Sequence, residues 1–342
     1  MSSYSPSNPT TNLLETITNA RKWLFEERVE PFKDSENAWI RENDEFVRIA
    51  FPKKSPYKDW YNHCFCDPPY TDWLKQFGQS DYLRITGDIE QVFGKRKLLL
   101  YSKRHRAKVC QEEIVDVVKI ASLLPGECLI AHNQPGAGAS EPRHVHFHLY
   151  AGGMRQFQSN GKSKDLINWL IENVQFDVDL DGNKTIDGTL KLQVKVVKSP
   201  FTGISIIRTT PAVHGVGDEH FGSLIFQLAD LCPCNLIFDS QVGALQVFVI
   251  PRSKDKPDKW DSNFGWLEMF GFMTISASET DLKNESFCSK NNFMNKNVSN
   301  LKKAVEMVGL PKNGSSSKNE GVLSWKKFLE EANKIIVRET KV

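Results

Sequence analysis

NQPGAGASEPRHVHFHLY, residues 133–150, is the stretch on which the fold turns. His144, His146 and His148 alternate here with Val145, Phe147 and Leu149. Successive side chains of an extended strand point to opposite faces. The alternation therefore predicts a half-buried strand over 143–151, with three imidazoles on one face and the apolar residues on the other. A loop of small residues leads into it. Such a loop lets backbone N–H groups approach an anion closely, and Ser140 with the amides near Gly136 and Gly138 would supply the donors.

Outward from this stretch, the chain reads as alternating strands and helices. Upstream, 127–132 is a strand, and 111–123 (QEEIVDVVKIASL) is an amphipathic helix ended by Pro125-Gly126. The compact apolar run KLLLY at 97–101 is a buried strand. Residues 46–51 and 81–86 are short strands, and 13–30 is a helix that stops before Pro31. Downstream, 163–173 is helical. In 174–190, Asp177, Asp179, Asp181 and Gly182 imitate the opening of a calcium loop, but its twelfth position is Gly188 and not glutamate. The alternating Phe176, Val178 and Leu180 before Asp181-Gly182 predict a β-hairpin instead. A strand-rich block follows at 192–197, 203–208, 234–239 and 244–250. Residues 264–276 are aromatic-dense core, 298–309 and 324–337 are helices, and NGSSSKNEG at 313–321 is linker-like. KLLLYSKRH in the first half is echoed by ALQVFVIPRSK in the second, each an apolar strand running into a basic turn.

The expected fold is α+β, with antiparallel sheet flanked by helices in two related halves. Residues 1–12 form a disordered tail, and 13–173 form the half carrying the histidines. Residues 174–284 form a second, degenerate strand-rich half, and 285–342 a C-terminal helical segment with a linker.

Composition narrows the function classes. A net charge of +2, from 44 basic and 42 acidic residues, gives no reason to expect nucleic acid or an anionic membrane as partner. The polar start has no signal-peptide core, and no run approaches a membrane span, so a cytoplasmic protein is expected. Seven cysteines, an odd count, fit reduced thiols. Cys64/Cys66 and Cys232/Cys234 are spaced more closely than zinc knuckles usually are. No G-x-G-x-x-G or P-loop string occurs, so nicotinamide, flavin and P-loop chemistry are not expected.

Four readings of the histidine strand compete. Three imidazoles on one face are costly to bury without partners, which weighs against a strand without chemistry. A catalytic metal would want a following carboxylate, and Tyr150, Ala151 and Gly152 stand there instead. The other two readings are nucleophilic, with transfer or hydrolysis as outcome. A neutral imidazole can attack a phosphoanhydride and form a phosphoramidate. His146, in the middle, is the best nucleophile, and His144 and His148 can hydrogen-bond the transferring group or fix the tautomer. No cofactor is required for that chemistry.

Residues 98–150 resemble the histidine triad superfamily. An apolar strand runs into a basic turn ending at His105 (LLLYSKRH), a helix follows, and then comes the loop N-x-P-x-x-G-A-S-x-P-x-H-x-H-F. The loop is similar to that of the larger branch, which holds galactose-1-phosphate uridylyltransferase, diadenosine tetraphosphate phosphorylase and the GDP-hexose phosphorylases. CNLIF at 234–238, VFVIPR at 247–252 and WLEMFGF at 266–272 resemble the C-terminal half of those phosphorylases.

The resemblance implies a nucleotidyltransferase or phosphorylase. It would cleave the α-phosphoanhydride of an NDP-sugar or dinucleoside polyphosphate through a nucleotidyl-His146 intermediate, with phosphate or a sugar phosphate as acceptor. His144 and His148 would be the flanking triad positions, and Ser140, Gly138, Gly136 and Asn133 the phosphate loop. His105 and His144, with Cys64 and Cys66, would hold a structural zinc, although these cysteines are one residue closer than the branch's C-x-x-C. The third triad position is usually glutamine in this branch, and here it is His148, as in the hydrolases. A triad-type hydrolase and a non-catalytic nucleotide-binding protein are the alternatives. The C-terminal half would complete the site or pair with a second subunit in a homodimer.

Overall fold

The computed structural model describes residues 9–25, 39–42, 45–50, 64, 74–87, 97–124, 128–139, 141–151, 157–159, 162–164, 176–179, 184–186, 190–197, 203–208, 216–241, 244–258, 263–269, 272–276, 301–312 and 322–339. In chain order the elements are α1 (Pro9–Phe25), β1 (Trp39–Glu42), β2 (Glu45–Ala50), β3 (Lys75–Gln79), β4 (Leu83–Gly87), β5 (Lys97–Ser102), α2 (Gln111–Leu123), β6 (Cys128–Asn133) and β7 (His146–Ala151). There follow β8 (Phe157–Ser159), β9 (Lys162–Lys164), β10 (Phe176–Asp179), β11 (Lys184–Ile186), β12 (Leu190–Val197), β13 (Gly203–Arg208), α3 (Val216–Ala229), β14 (Cys234–Gln241) and β15 (Ala244–Pro251). The last are α4 (Trp266–Met269), β16 (Phe272–Ser276), α5 (Leu301–Val308) and α6 (Trp325–Glu339).

The architecture is α+β. Its centre is an antiparallel sheet in which β10-β12-β13-β15-β14-β6-β7-β5-β4-β3 lie side by side, with β11 also paired to β12. Helices α1, α2, α3 and α6 cover one face. On that face Leu98, Leu100, Ile130, Phe147, Leu149, Leu236, Phe238, Val247 and Val249 pack with Ile114, Val117, Val118 and Ala121 of α2 and with Phe221, Leu224, Ile225 and Leu228 of α3. The i, i+3, i+4, i+7 spacing on each helix supplies that stripe. Ser240 Oγ lies 2.8 and 2.9 Å from the carbonyls of Ala121 and Leu124, so its single O–H, shared between them, helps satisfy the C-terminal end of α2 from β14.

The chain order strand–helix–strand–strand occurs twice, as β5-α2-β6-β7 and as β13-α3-β14-β15. The spatial order of these strands is mirrored about the β6–β14 pair, whose register sets Asn133 opposite Asn235 and Ala131 opposite Ile237. In this order β5 matches β13, and β15 matches β7. The sequence echo of KLLLYSKRH with ALQVFVIPRSK instead sets β5 against β15, so it aligns strands that differ in position.

Other expectations are corrected locally. The first helix begins at Pro9, inside the stretch expected to be tail. Proline is favoured at a first helical position because its fixed φ is already helical. Among the described residues, the two strands flanking Asp181-Gly182 do not pair with each other as the expected hairpin would have them. Phe176–Asp179 and Lys184–Ile186 both pair with β12, which turns back on β11 beyond Ile186. Residues 162–164 are a strand, and the rest of the helix expected over 163–173 lies outside the described residues, as does the linker at 313–321. Helix α3 was not anticipated, although Phe221, Leu224, Ile225 and Leu228 follow helical spacing after acidic Asp218 and Glu219. No helix among the described residues is long and apolar enough to cross a membrane.

Candidate functional site

His146 and His148 lie on the sheet face opposite α2 and α3, and the three triad histidines do not stay in one row. The strand starts at His146, so His144 and Val145 precede it, where the alternation had predicted strand from 143. Backbone bonds from Ser102 N to Val145 O (3.0 Å) and from Val145 N to Arg106 O (2.8 Å) pull this segment toward the basic turn after β5. His144 thereby leaves its neighbours and joins Cys64 and His105. Cys64 Sγ lies 3.0 Å from His144 Nδ1 and 3.4 Å from His105 Nδ1. His144 Nε2–H donates to Ser102 O at 2.8 Å, which leaves the Nδ1 lone pair facing the sulfur. One sulfur and two imidazole nitrogens mutually within 4.8 Å suit zinc by donor chemistry. Cys66 lies outside the described residues.

His146 and His148 remain together, ring centroids 5.0 Å apart and edge to face. His146 is buried, and its Nδ1–H donates to the His144 carbonyl at 2.9 Å. That bond fixes the tautomer and leaves the lone pair on Nε2. Burial holds the His146 pKa well below the ordinary imidazole range, and the nearby His148, His132 and Lys97 lower it further. The ring is therefore neutral at neutral pH, the form in which imidazole is a nucleophile. Burial also lowers the His144 pKa.

The loop between β6 and β7 is held by the second half of the chain. Gln134 N donates to Cys234 O and Gln134 Oε1 accepts from Cys234 N, at 3.2 and 3.0 Å. Gly136 and Gly138 have φ of +85° and +83°, a region costly for other residues. A Cβ at Gly138 would come within 1.9 Å of Phe264 O, and the Gly138 amide donates to Asp255 Oδ1 at 2.7 Å. This glycine thus serves close packing against 264–265, and its N–H already holds a carboxylate, an anion from within the protein. Ser140 lies outside the described residues.

Asn133 ends β6. Its Oδ1 accepts from Asn235 Nδ2 (2.7 Å) and from the backbone N–H of Trp266 (3.0 Å). Asn235 Nδ2 also donates to Ala137 O at 2.7 Å. Arg252, buried to 1% exposure, donates from Nη1 to Asn235 Oδ1 (2.7 Å), Phe264 O (2.8 Å) and Ala137 O (3.4 Å). Its Nη2 donates to Lys254 O and Asp255 O, and its Nε to Val308 O. Burial lowers Arg252 to about 10, with Glu268 and Asp255 opposing, so it stays charged.

Sequence reasoning did not single out Lys97, His132, Asn235, Arg252 or Trp266 as site residues. Lys97 opens KLLLY, and its register with Tyr150 puts it on the histidine face with Leu99 and Tyr101, where it is buried. Strand alternation carried that signal. His132 lies beside Asn133 in sequence but on the helix-covered face, 4.6 Å from the Phe147 ring, and its Nδ1–H donates to the His146 carbonyl at 2.6 Å. Burial pushes the Cys232 thiol up to about 12 and raises Cys234 well above the usual thiol range, so both favour the protonated thiol.

No family model matches the chain, and no curated protein matches it. A crystal structure of a DUF4931 family protein from Bacillus cereus aligns with 63% of this chain and all of its own, at 14% identity and a TM-score of 0.36. Likeness at that level carries no argument about fold or function.

Proposed function

We propose that the protein is a nucleotidyltransferase or phosphorylase of the histidine triad type. The observation that carries the reading is His146: buried, neutral, with Nδ1–H committed to the His144 carbonyl, so that Nε2 is the unprotonated ring nitrogen. In the proposed reaction Nε2 attacks the α-phosphorus of an NDP-sugar or dinucleoside polyphosphate. The N–P bond forms and the phosphoanhydride P–O bond breaks, and the leaving phosphate carries off the bonding electron pair. An oxygen of inorganic phosphate or of a sugar phosphate then attacks the phosphoramidate, and His146 is regenerated. Asn133 and Ser140 would bind the α-phosphate and the charge developing on it, the Gly138 amide being already bonded to Asp255.

The doubled strand–helix–strand–strand order supports two related halves, with the histidines on the first. Cys64, His105 and His144, joined by Cys66, would hold a structural zinc, which would cross-link the segments that carry them. His144 is then a ligand and not a proton carrier. Hydrolysis is the second reading, favoured by His148 beside His146 where transferases of this type have glutamine.

Intact-protein mass spectrometry tests the mechanism. Incubation with NDP-sugars and dinucleoside polyphosphates should add one nucleoside monophosphate to the wild type and nothing to His146→Ala. A wild type without adduct, together with full turnover by His146→Ala, would rule the mechanism out. Release of the adduct by phosphate, sugar phosphate or water alone separates the transferase from the hydrolase.

A further inference from the structure

We infer that Arg252 and Asn235, from the second half of the chain, are positioning residues that set which way the Asn133 carboxamide faces, and that Gly265 keeps the approach to its NH2 group open.

An asparagine side chain can be reversed with little change in shape, so only its partners decide which end is oxygen. At Asn133 both partners of one end are donors, Asn235 Nδ2 and the Trp266 amide. That end must be the oxygen, because reversal would set NH2 against two N–H groups. Asn235 is itself a reversible amide, and Arg252 fixes it. The guanidinium has no acceptor, so the Asn235 atom at 2.7 Å from Nη1 is Oδ1, and Nδ2 is turned to Asn133 and Ala137. Arg252 is in turn held by carbonyls of the 254–255 turn, Phe264 and Val308. One buried cation therefore fixes two amides in series.

The consequence falls on Nδ2 of Asn133. Asn133 follows Ala131, the partner of His148, by two residues, so it shares the histidine face. Its NH2 faces Gly265, where an added Cβ would lie 2.8 Å from Nδ2. No φ in the left-handed region requires glycine at 265, and the 264–265 segment meets the loop through Gly138. Glycine there leaves room beside a pair of N–H donors whose direction is already fixed. On the proposed reaction, on which this inference rests, those donors serve the α-phosphate oxygens. A donor fixed in advance stabilises developing charge without reorganising during the step.

Three single variants test this. Asn235→Asp keeps the shape and still accepts from Arg252, but has no donor for Asn133. Arg252→Lys keeps the charge and loses the fork. Gly265→Ala leaves the relay intact and crowds Nδ2 from the other side, so it serves if the first two fail to give a cooperative melt. Nitrogen–proton correlation spectra, with the Asn133 carboxamide pair identified by its loss in Asn133→Asp, report the surroundings of that NH2 group. The pair should move in all three variants. The rate constant of nucleotidyl-His146 formation should fall on the order of a hundredfold in Asn235→Asp, with little change in nucleotide affinity, and less in Arg252→Lys. Unmoved Asn133 signals in Asn235→Asp and Arg252→Lys would overturn the relay, and unmoved signals in Gly265→Ala would overturn the close approach at Gly265. Moved signals with an unchanged adduct rate would overturn the positioning role. A wild type that forms no adduct would defeat the proposed reaction instead, and the Asn133 signals would still decide the relay.

Discussion

His132 and His148 lie on opposite faces of the sheet. His132 faces the helix-covered core, and loss of hydration on burial lowers its pKa from 6.5 to about 4. Between these values the unfolded chain takes up a proton that the folded protein refuses. Stability present above pH 6.5 is therefore lost as the pH falls toward 4, by about 3 kcal/mol for this group. His144 and His146 are shifted in the same direction, so the informative comparison is with His132→Gln, which keeps a donor and cannot titrate. Urea midpoints at pH 7.5 and 4.5 should fall less in the variant; parallel falls would mean that His132 is not the group. His148, beside His146, tests the reaction. His148→Gln should keep nucleotidyl transfer and raise the ratio of phosphorolysis to hydrolysis, while His146→Gln should lose both, because an amide cannot form the phosphoramidate. Loss of transfer in His148→Gln as complete as in His146→Gln would give His148 an essential proton-transfer role.

At the scale of elements, the packing of α2 on α3 is set by a missing side chain. A Cβ on Gly222 would lie 2.7 Å from Val115 Cγ2 and 3.0 Å from Val115 Cα, so the two helix backbones meet at van der Waals distance there. Gly222→Ala must push α3 off α2 and should cost about 1–3 kcal/mol. Gly217, in the first turn of the same helix, has nothing within 4 Å of an added Cβ. Gly217→Ala should be neutral or stabilise by about 0.5–1 kcal/mol, since alanine loses less backbone entropy on folding. Thermal melts of the two variants should move in opposite directions or differ by several degrees. Equal melts would remove the close approach as the reason for Gly222.

Across the whole molecule, two sets of contacts join segments distant in sequence. The Arg252–Asn235–Asn133 relay fastens the loop of the first half to the second. Cys64, His105 and His144 gather three further segments. If they hold zinc, metal analysis of protein grown with zinc should find about one ion per chain in wild type and a loss in Cys64→Ser and His105→Ala. Chelation should then lower the melting temperature of wild type and leave Cys64→Ser unmoved. Zinc-free wild type from such a preparation would leave Cys64 as a buried thiol donating to His144.

What could be read from the sequence alone was what local periodicity encodes. The apolar spacing of 111–123 and the β-rich run 203–208 gave elements with those bounds, because a helix stripe and a buried strand are properties of neighbouring residues. His146 could be singled out for the same reason, since its alternation with Val145 and Phe147 survives folding. The helix 216–229 had a readable stripe as well, in Phe221, Leu224, Ile225 and Leu228. The tertiary structure alone decided what depends on partners far along the chain. Strand β12 took both β10 and β11 as neighbours, because pairing is settled by which edges meet. His144 was drawn from the row by bonds to Ser102 and by Cys64, 80 residues away. Asn235 and Arg252 stood in segments already noted for their resemblance, yet nothing local says that one fixes the other or that both bear on Asn133. The direction of a buried amide is set by donors and acceptors that only the folded chain brings together.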